Sequence, residues 1–138
     1  MTRRVALMAA MLVLFLLSAG AAQAEVRITV PFDFSVGKVL LPSGTYAIGK
    51  IGAAQTLLQL QNSKIKAGVI EQIHAVELDR GQVSQDDKLV FHRYGNQYFL
   101  AQFWVAGSAT GFELRRTKVE DEIHNLSKRR TEVLTARR

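Results

Sequence analysis

The sequence predicts a small antiparallel β-sandwich or barrel of about six strands, followed by a C-terminal amphipathic helix. Three observations predict this all-β fold class. Apolar and polar residues alternate strictly over residues 26–36, two strand-like segments flank the dipeptide Gly95-Asn96, and the apolar spacing becomes helical after Gly111. The strands are short and separated by turn residues, which is typical of sequentially paired antiparallel strands.

Residues 1–24 have the three parts of a secretory signal peptide. Two arginines precede the unbroken apolar run of residues 5–17, and small residues follow as far as Ala24. This pattern predicts cleavage between Ala24 and Glu25 and export to the periplasm or to the outside of the cell. An uncleaved membrane anchor is the alternative, because residues 5–24 carry no charge over a length that just spans a bilayer.

The 138-residue chain contains no cysteine. Its length predicts one β-domain over residues 25–111, with residues 112–138 forming a charged amphipathic helix or tail. The absence of cysteine excludes disulfides, thiolate metal sites and a cysteine nucleophile. The exported domain must therefore be stabilised by the packing of apolar side chains.

The first half of the domain is predicted to contain four strands. The first covers residues 26–36, where Pro31 places the strand at an edge or bends it because proline cannot donate a ladder hydrogen bond. A turn at Leu41-Pro42-Ser43-Gly44 precedes the other three. These strands cover residues 45–51, 56–61 and 64–78, and a phase change near Gly68 predicts a bulge or a strand that passes between sheets.

A hairpin is predicted around Gly95-Asn96, with strands over residues 88–94 and 97–105. The two-residue loop sets the register, which pairs Tyr94 with Gln97, Arg93 with Tyr98, His92 with Phe99, and Phe91 with Leu100. Strict alternation then groups Leu89, Phe91, Leu100 and Trp104 on one face, and Val90, Phe99, Ala101, Phe103 and Val105 on the other. Both faces are apolar, so the hairpin should be covered on both sides.

The C-terminal segment changes to a helical period. The apolar residues at this spacing are Val119, Ile123, Leu126, Val133 and Leu134. Residues 113–138 carry eight bases and five acids, so this segment holds most of the positive charge. One interpretation is a contact with an anionic surface or an acidic envelope partner. The other is a solvated helix whose apolar stripe packs on the domain or on a second subunit, and acids at residues 120–122 favour it.

Two segments resemble a family of uncharacterised small secreted bacterial proteins. The first runs from Val30-Pro31-Phe32-Asp33-Phe34 to Leu41-Pro42-Ser43-Gly44-Thr45-Tyr46. The second comprises Lys88-Leu89-Val90-Phe91-His92-Arg93-Tyr94-Gly95 with Tyr98-Phe99-Leu100. The resemblance covers most of residues 28–114. It implies a secreted protein but assigns no activity, and therefore no functional residue.

Candidate catalytic residues are few. The three histidines, His74, His92 and His124, lack metal-binding spacing, and no phosphate loop or nucleophile elbow is present. On a strand, His92 and Tyr94 share a face, which makes a hydrolase with His92 as general base and Tyr94 as its proton partner the enzymatic alternative. The structural interpretation is favoured, with His92 against Phe99 and Arg93 stacked on Tyr98 as a cation–π pair, because no third orienting group is visible.

The function predicted from these observations is an exported, non-catalytic binding or structural module of the cell envelope. The sequence assigns no catalytic, cofactor-binding or metal-ligating residue, and a nucleic-acid partner is not expected for an exported protein. The partner would be an envelope component, an anionic surface or a second copy of the chain. Six aromatic residues form the core or line a pocket, with the core favoured: Phe32, Phe34, Phe91, Phe99, Phe103 and Trp104.

Overall fold

The structure is a computed structural model that describes residues 25–127 and 132–137. The predicted signal peptide lies outside the described residues. Within them, the chain forms ten β-strands and one short α-helix, which confirms the predicted all-β fold with a C-terminal helix. The elements are β1 (Val26–Val30), β2 (Phe34–Val36), β3 (Val39–Leu41), β4 (Gly44–Ile51), β5 (Leu57–Asn62), β6 (Ala67–Glu77), β7 (Lys88–Tyr94), β8 (Gln97–Trp104), β9 (Thr110–Leu114), α1 (Lys118–Leu126) and β10 (Glu132–Arg137).

The described strands outnumber the predicted six because short strands escape a periodicity analysis. The strand predicted over residues 26–36 is bent at Pro31 and divides into β1 and β2. The three-residue strand β3 lies immediately before the predicted turn. β9 extends into residues 112–114, where the sequence predicts the start of the C-terminal helix or tail, and its Gly111 pairs with Val76.

The strands form one curled sheet. The hydrogen-bonded order runs β1-β4-β5-β6-β9-β8, and β7 pairs with both β8 and β10. β10 in turn lies beside β1, so the two ends of this series approach each other. β6 pairs with β5 through its first half and with β9 through its second half, as expected for a strand that passes between sheets. The short hairpin β2–β3 attaches to β8 through one parallel pair, Ser35 with Phe99.

The β7–β8 hairpin has the predicted register at all four pairs next to its turn. Beyond them a bulge leaves Ala101 unpaired, because Phe91 opposes Leu100 while Val90 opposes Gln102. One extra residue inverts the alternation of every later side chain. The prediction is therefore wrong for three residues: Phe103 shares the core face with Leu89, Val105 packs against the same core, and Trp104 lies outside the core cluster.

The interior is filled by apolar side chains. Phe34, Phe91 and Phe103 are fully buried core members, which confirms the favoured interpretation for these three aromatic residues. The Phe34 ring meets the rings of Tyr46 and Phe91 edge to face, with centroids 5.3 and 5.4 Å apart. The Tyr46 hydroxyl donates to the carbonyl of Pro42 at 2.7 Å, which satisfies the one polar atom of this buried ring.

The predicted C-terminal helix is shorter than its apolar spacing suggests. Val119, Ile123 and Leu126 lie in α1, as predicted. Val133 and Leu134 instead belong to β10, whose residues pair antiparallel with β7. The prediction failed here because a tertiary partner, the free side of β7, decides the conformation of residues 132–137.

Candidate functional site

Helix α1 docks on the sheet through its polar face. Glu120 is only 4% exposed, whereas Val119 and Leu126 on the apolar stripe are 59% and 88% exposed. The expectation that the stripe packs on the domain is therefore wrong for these two residues. Only Ile123 among the predicted stripe residues of α1 is half-buried.

The carboxylate of Glu120 is the centre of a buried polar cluster. Its Oε1 atom lies 2.9 Å from Nδ1 of His92 and accepts a hydrogen bond from the Tyr94 hydroxyl at 3.3 Å. Nε of Arg116 lies 3.9 Å from the same oxygen. We refer to Glu120, His92, Tyr94 and Arg116 as the Glu120 cluster. Because a buried carboxylate is costly without partners, this cluster stabilises the docked position of α1.

Local sequence places Glu120 at this point of the helix. Thr117 is the N-cap of α1, and its side chain accepts a hydrogen bond from the backbone N–H of Glu120 at 3.2 Å. Thr117-x-x-Glu120 has the spacing of a capping box, in which the glutamate usually bonds back to the cap. Here the carboxylate reaches His92 and Tyr94 on β7 instead. The sequence analysis assigned Glu120 to a solvated acidic face, and the capping spacing was the signal that fixed its place in the helix.

Burial raises the pKa of the Tyr94 phenol above its ordinary value. The neighbouring Glu120 carboxylate raises this pKa further, while Arg116 opposes the shift. Tyr94 therefore stays protonated well into the alkaline range and remains a hydrogen-bond donor to Glu120.

The surroundings of its two residues do not favour the hydrolase alternative. His92 and Tyr94 share the face beneath α1, as predicted, and Glu120 supplies the orienting carboxylate that the sequence did not reveal. The His92 side chain is only 19% exposed, and Tyr94 is buried. Neither residue lines the concavity beside α1, the one along β4 and β5, or the one along β5 and β6. These two side chains are therefore largely covered by protein rather than open to a substrate.

On the other face of β7, Arg93 covers the Tyr98 ring at 5.5 Å from its centroid, which confirms the predicted cation–π pair. Phe32 stacks on the same ring, with the centroids 4.0 Å apart. His92 pairs with Phe99 across the hairpin, also as predicted.

The other two histidines do not assemble a metal site. His74 is exposed on β6, and His124 approaches the Tyr94 ring from α1 with centroids 5.9 Å apart. No group of three or more metal-ligating side chains occurs among residues 25–127 and 132–137.

A groove of about 620 Å³ lies between α1 and the β2–β3 hairpin. Val119 and Ile123 form its helical wall, Leu40 lies on the opposite wall, and Tyr98 and Phe99 of β8 are in its lining. We refer to this concavity as the α1 groove. Its volume is within the range of small-molecule sites, which is roughly 300–1,000 Å³.

Polar groups surround the apolar lining of the α1 groove. Asp33, Ser35 and Lys38 line it beside the hairpin, and Asn96, Gln97 and Thr117 line it elsewhere. The Asp33 carboxylate accepts a hydrogen bond from the backbone N–H of Ser43 at 2.8 Å. An apolar centre with several polar groups around it suits a ligand that has an apolar body and a polar end.

A second concavity, of about 530 Å³, lies along β4 and β5. Its lining includes Lys50 and three glutamines, Gln55, Gln59 and Gln61, and it reaches Phe103 and Val105. The α1 groove differs from it in combining exposed apolar side chains with two aromatic rings. For this reason the α1 groove is the better candidate site.

No protein-family model, curated protein or solved structure matches this chain. The fold and the groove therefore stand on the chain's own sequence and geometry. None of the helices in the described residues has the length and apolar character needed to cross a membrane.

Proposed function

We propose that this protein is an exported, non-catalytic binding module of the cell envelope, and that it takes an amphipathic small molecule in the α1 groove. One observation carries the proposal: an apolar stripe on α1 and an apolar residue on β3, Leu40, remain exposed on both sides of a concavity. Val119 and Leu40 are 59% and 69% exposed. Both line the groove, so a ligand there would remove their apolar surface from water.

Binding is favoured over hydrolysis by where the polar residues lie. The His92 and Tyr94 side chains make hydrogen bonds to Glu120, and they lie beneath a helix rather than beside the groove. The anionic-surface alternative is supported less well, because Asp121 and Glu122 lie on the exposed part of α1 and Arg116 lies beside Glu120.

Export is tested by expressing the full-length chain in a bacterium and determining the N-terminus of the product. We expect a processed protein that begins at Glu25 in the periplasm or the medium. Protein that retains residues 1–24 and stays in the cytosol would contradict the proposal.

Ligand binding is tested with the processed protein and cis-parinaric acid, a fluorescent fatty acid. We expect saturable binding that Val119→Asp and Leu40→Asp each weaken by about tenfold, since burial of one aliphatic side chain is worth about 1.5 kcal/mol. Ile65→Asp is the matched control, because Ile65 is a similarly exposed apolar residue outside the groove. Equal effects of all three substitutions, or no saturable binding, would exclude this site.

A further inference from the structure

Helix α1 depends on side-chain contacts with the sheet for its position. It has nine residues, and isolated helices of this length are marginal in water. Apolar burial usually supplies the missing stability, but Val119 and Leu126 are exposed. Among the described residues, no backbone hydrogen bond joins α1 to the sheet. The Glu120 cluster is therefore the principal anchor of this helix.

The connection that precedes α1 and the pairing of the neighbouring strands allow the helix to move without unfolding the sheet. Residues 115–117, between β9 and α1, belong to no strand or helix, and Thr117 accepts hydrogen bonds from the first turn of α1 through its carbonyl and its side chain. β9 and β10, on either side of the helix, are each paired with neighbouring strands. Detachment of α1 would thus leave all the strand pairs of the described residues intact.

The charges around Glu120 determine how the anchor responds to acid. β7 presents His92 and Tyr94 to it, the segment before the helix presents Arg116, and α1 itself carries Asp121 and His124 nearby. β8 presents the Phe99 ring to Tyr94, and this phenyl ring has no titratable group. Glu120 is thus a buried carboxyl group with His92 and Arg116 beside it, and His124 lies one turn further along α1 against the Tyr94 ring.

Protonation has opposite effects on the two sides of the cluster. A proton on His92 strengthens its pair with an ionised Glu120, so histidine titration alone tightens the anchor. A proton on Glu120 removes the negative charge and leaves a charged His92 and Arg116 beside the same uncharged carboxyl group. Repulsion among these cations then favours detachment of the helix.

We infer that α1 is a detachable wall of the α1 groove, held closed by the Glu120 carboxylate and released when acid protonates it. Val119, Ile123 and Thr117 leave the lining when the helix detaches, so acid would discharge the ligand. This regulation rests on the proposed function of the groove, whereas the release of the helix can be measured without any ligand.

The experiment uses a nitroxide attached at Leu126→Cys in the full chain after processing. The chain has no cysteine of its own, Leu126 is exposed, and it does not line the groove. The electron paramagnetic resonance spectrum is recorded from about pH 7 to about pH 3, the range in which histidine and glutamate side chains titrate. Far-ultraviolet circular dichroism reports the sheet in the same samples.

Because Leu126 is exposed, the nitroxide reports the motion of the helix itself: we expect its slow-motion component, typical of an ordered helix held on the domain, to be lost in acid while the sheet signal persists. Glu120→Gln should lack this component at neutral pH, because its amide resembles the protonated acid. Glu122→Gln removes one charge from an exposed position on the same helix and should behave like the parent. A nitroxide that stays immobilised until the sheet unfolds, or equal behaviour of the two glutamine variants, would overturn the inference.

Binding of cis-parinaric acid separates this inference from the proposed function. Loss of binding in Glu120→Gln together with helix release supports both. If acid releases the helix but the parent protein does not bind cis-parinaric acid, the acid-sensitive anchor is supported and ligand binding in the α1 groove is refuted. Binding that Glu120→Gln leaves unchanged refutes the regulation and leaves the groove standing.

Discussion

Gly111 lies directly beneath the indole ring of Trp104, and its replacement by alanine tests the inverted alternation after the β7–β8 bulge. A Cβ atom at this position would overlap the ring, coming within 2.6 Å of Cε2 and closer to Cδ2. The ring cannot move away freely, since Trp104 is 6% exposed and its Nε1 donates to Oε1 of Gln102 at 3.0 Å. Gly111→Ala should therefore destabilise the fold.

The magnitude follows from two opposing effects. Alanine in a strand gains about 0.5–1 kcal/mol over glycine through the lower entropy of the unfolded chain. Overpacking against a fixed ring costs about 1–3 kcal/mol. We expect Gly111→Ala to lower the free energy of unfolding by about 1–2 kcal/mol, which corresponds to a fall in Tm of roughly 4 °C per kcal/mol for a domain of this size.

Urea unfolding followed by tryptophan emission measures this effect directly, because Trp104 is the only tryptophan of the chain. Gly49→Ala is the matched control: a Cβ there meets nothing within 4 Å, so the variant should be unchanged or slightly more stable. In the Trp104→Leu variant, where circular dichroism replaces tryptophan emission as the probe of unfolding, Gly111→Ala should lower the free energy of unfolding much less. If Gly111→Ala matched Gly49→Ala in stability and left the emission spectrum unchanged, Trp104 would not cover Gly111 as described.

Three further predictions concern other parts of the sheet. Asn62 is buried, and its Oδ1 accepts a hydrogen bond from the backbone N–H of Lys64 at 3.0 Å. Asn62→Ala should therefore lower the free energy of unfolding in urea by about 1–3 kcal/mol, and an unchanged urea midpoint would contradict this. Gly95 has a φ of +61° in the hairpin turn, so Gly95→Ala should cost about 1–2 kcal/mol in thermal unfolding, which a Tm equal to the parent's would refute. Burial raises the pKa of Tyr46 and of Tyr94 in the folded protein. The contribution of each neutral phenol to the free energy of unfolding is therefore complete below about pH 10, the ordinary pKa, and it is lost as pH rises through the folded-state pKa. Ultraviolet titration checks this last prediction, which fails if every tyrosine of the native protein ionises at its ordinary pKa.

Much of the fold could be predicted because local rules act on short stretches of chain. The two-residue turn at Gly95-Asn96 defined the four pairs next to it, and alternation over residues 26–36 marked Phe34 and Val36 as inward-facing. The extra residue at Ala101 escaped prediction, because both faces of β8 are apolar and a change of phase leaves no trace in such a pattern.

The candidate site was less predictable than the fold. His92 and Tyr94 were placed on one face correctly, yet their partner Glu120 lies 28 and 26 residues further along the chain. Its charge suggested a solvated position, and only its contacts with β7 made burial favourable. The α1 groove likewise joins residues of β2, β3, β8 and α1, whose proximity no local spacing encodes.

By itself, the sequence determined the strand periodicity and the hairpin register near its turn, because each depends on neighbours within a few residues, and the absence of cysteine excluded disulfide cross-links. The tertiary structure alone decided that residues 132–137 pair with β7, that α1 turns its polar face inward, and that an apolar groove stays open beside it. Those outcomes depend on which surfaces meet once the sheet has curled: the contacts of the Glu120 carboxylate with two β7 side chains orient the helix so that Val119 and Leu126 stay exposed.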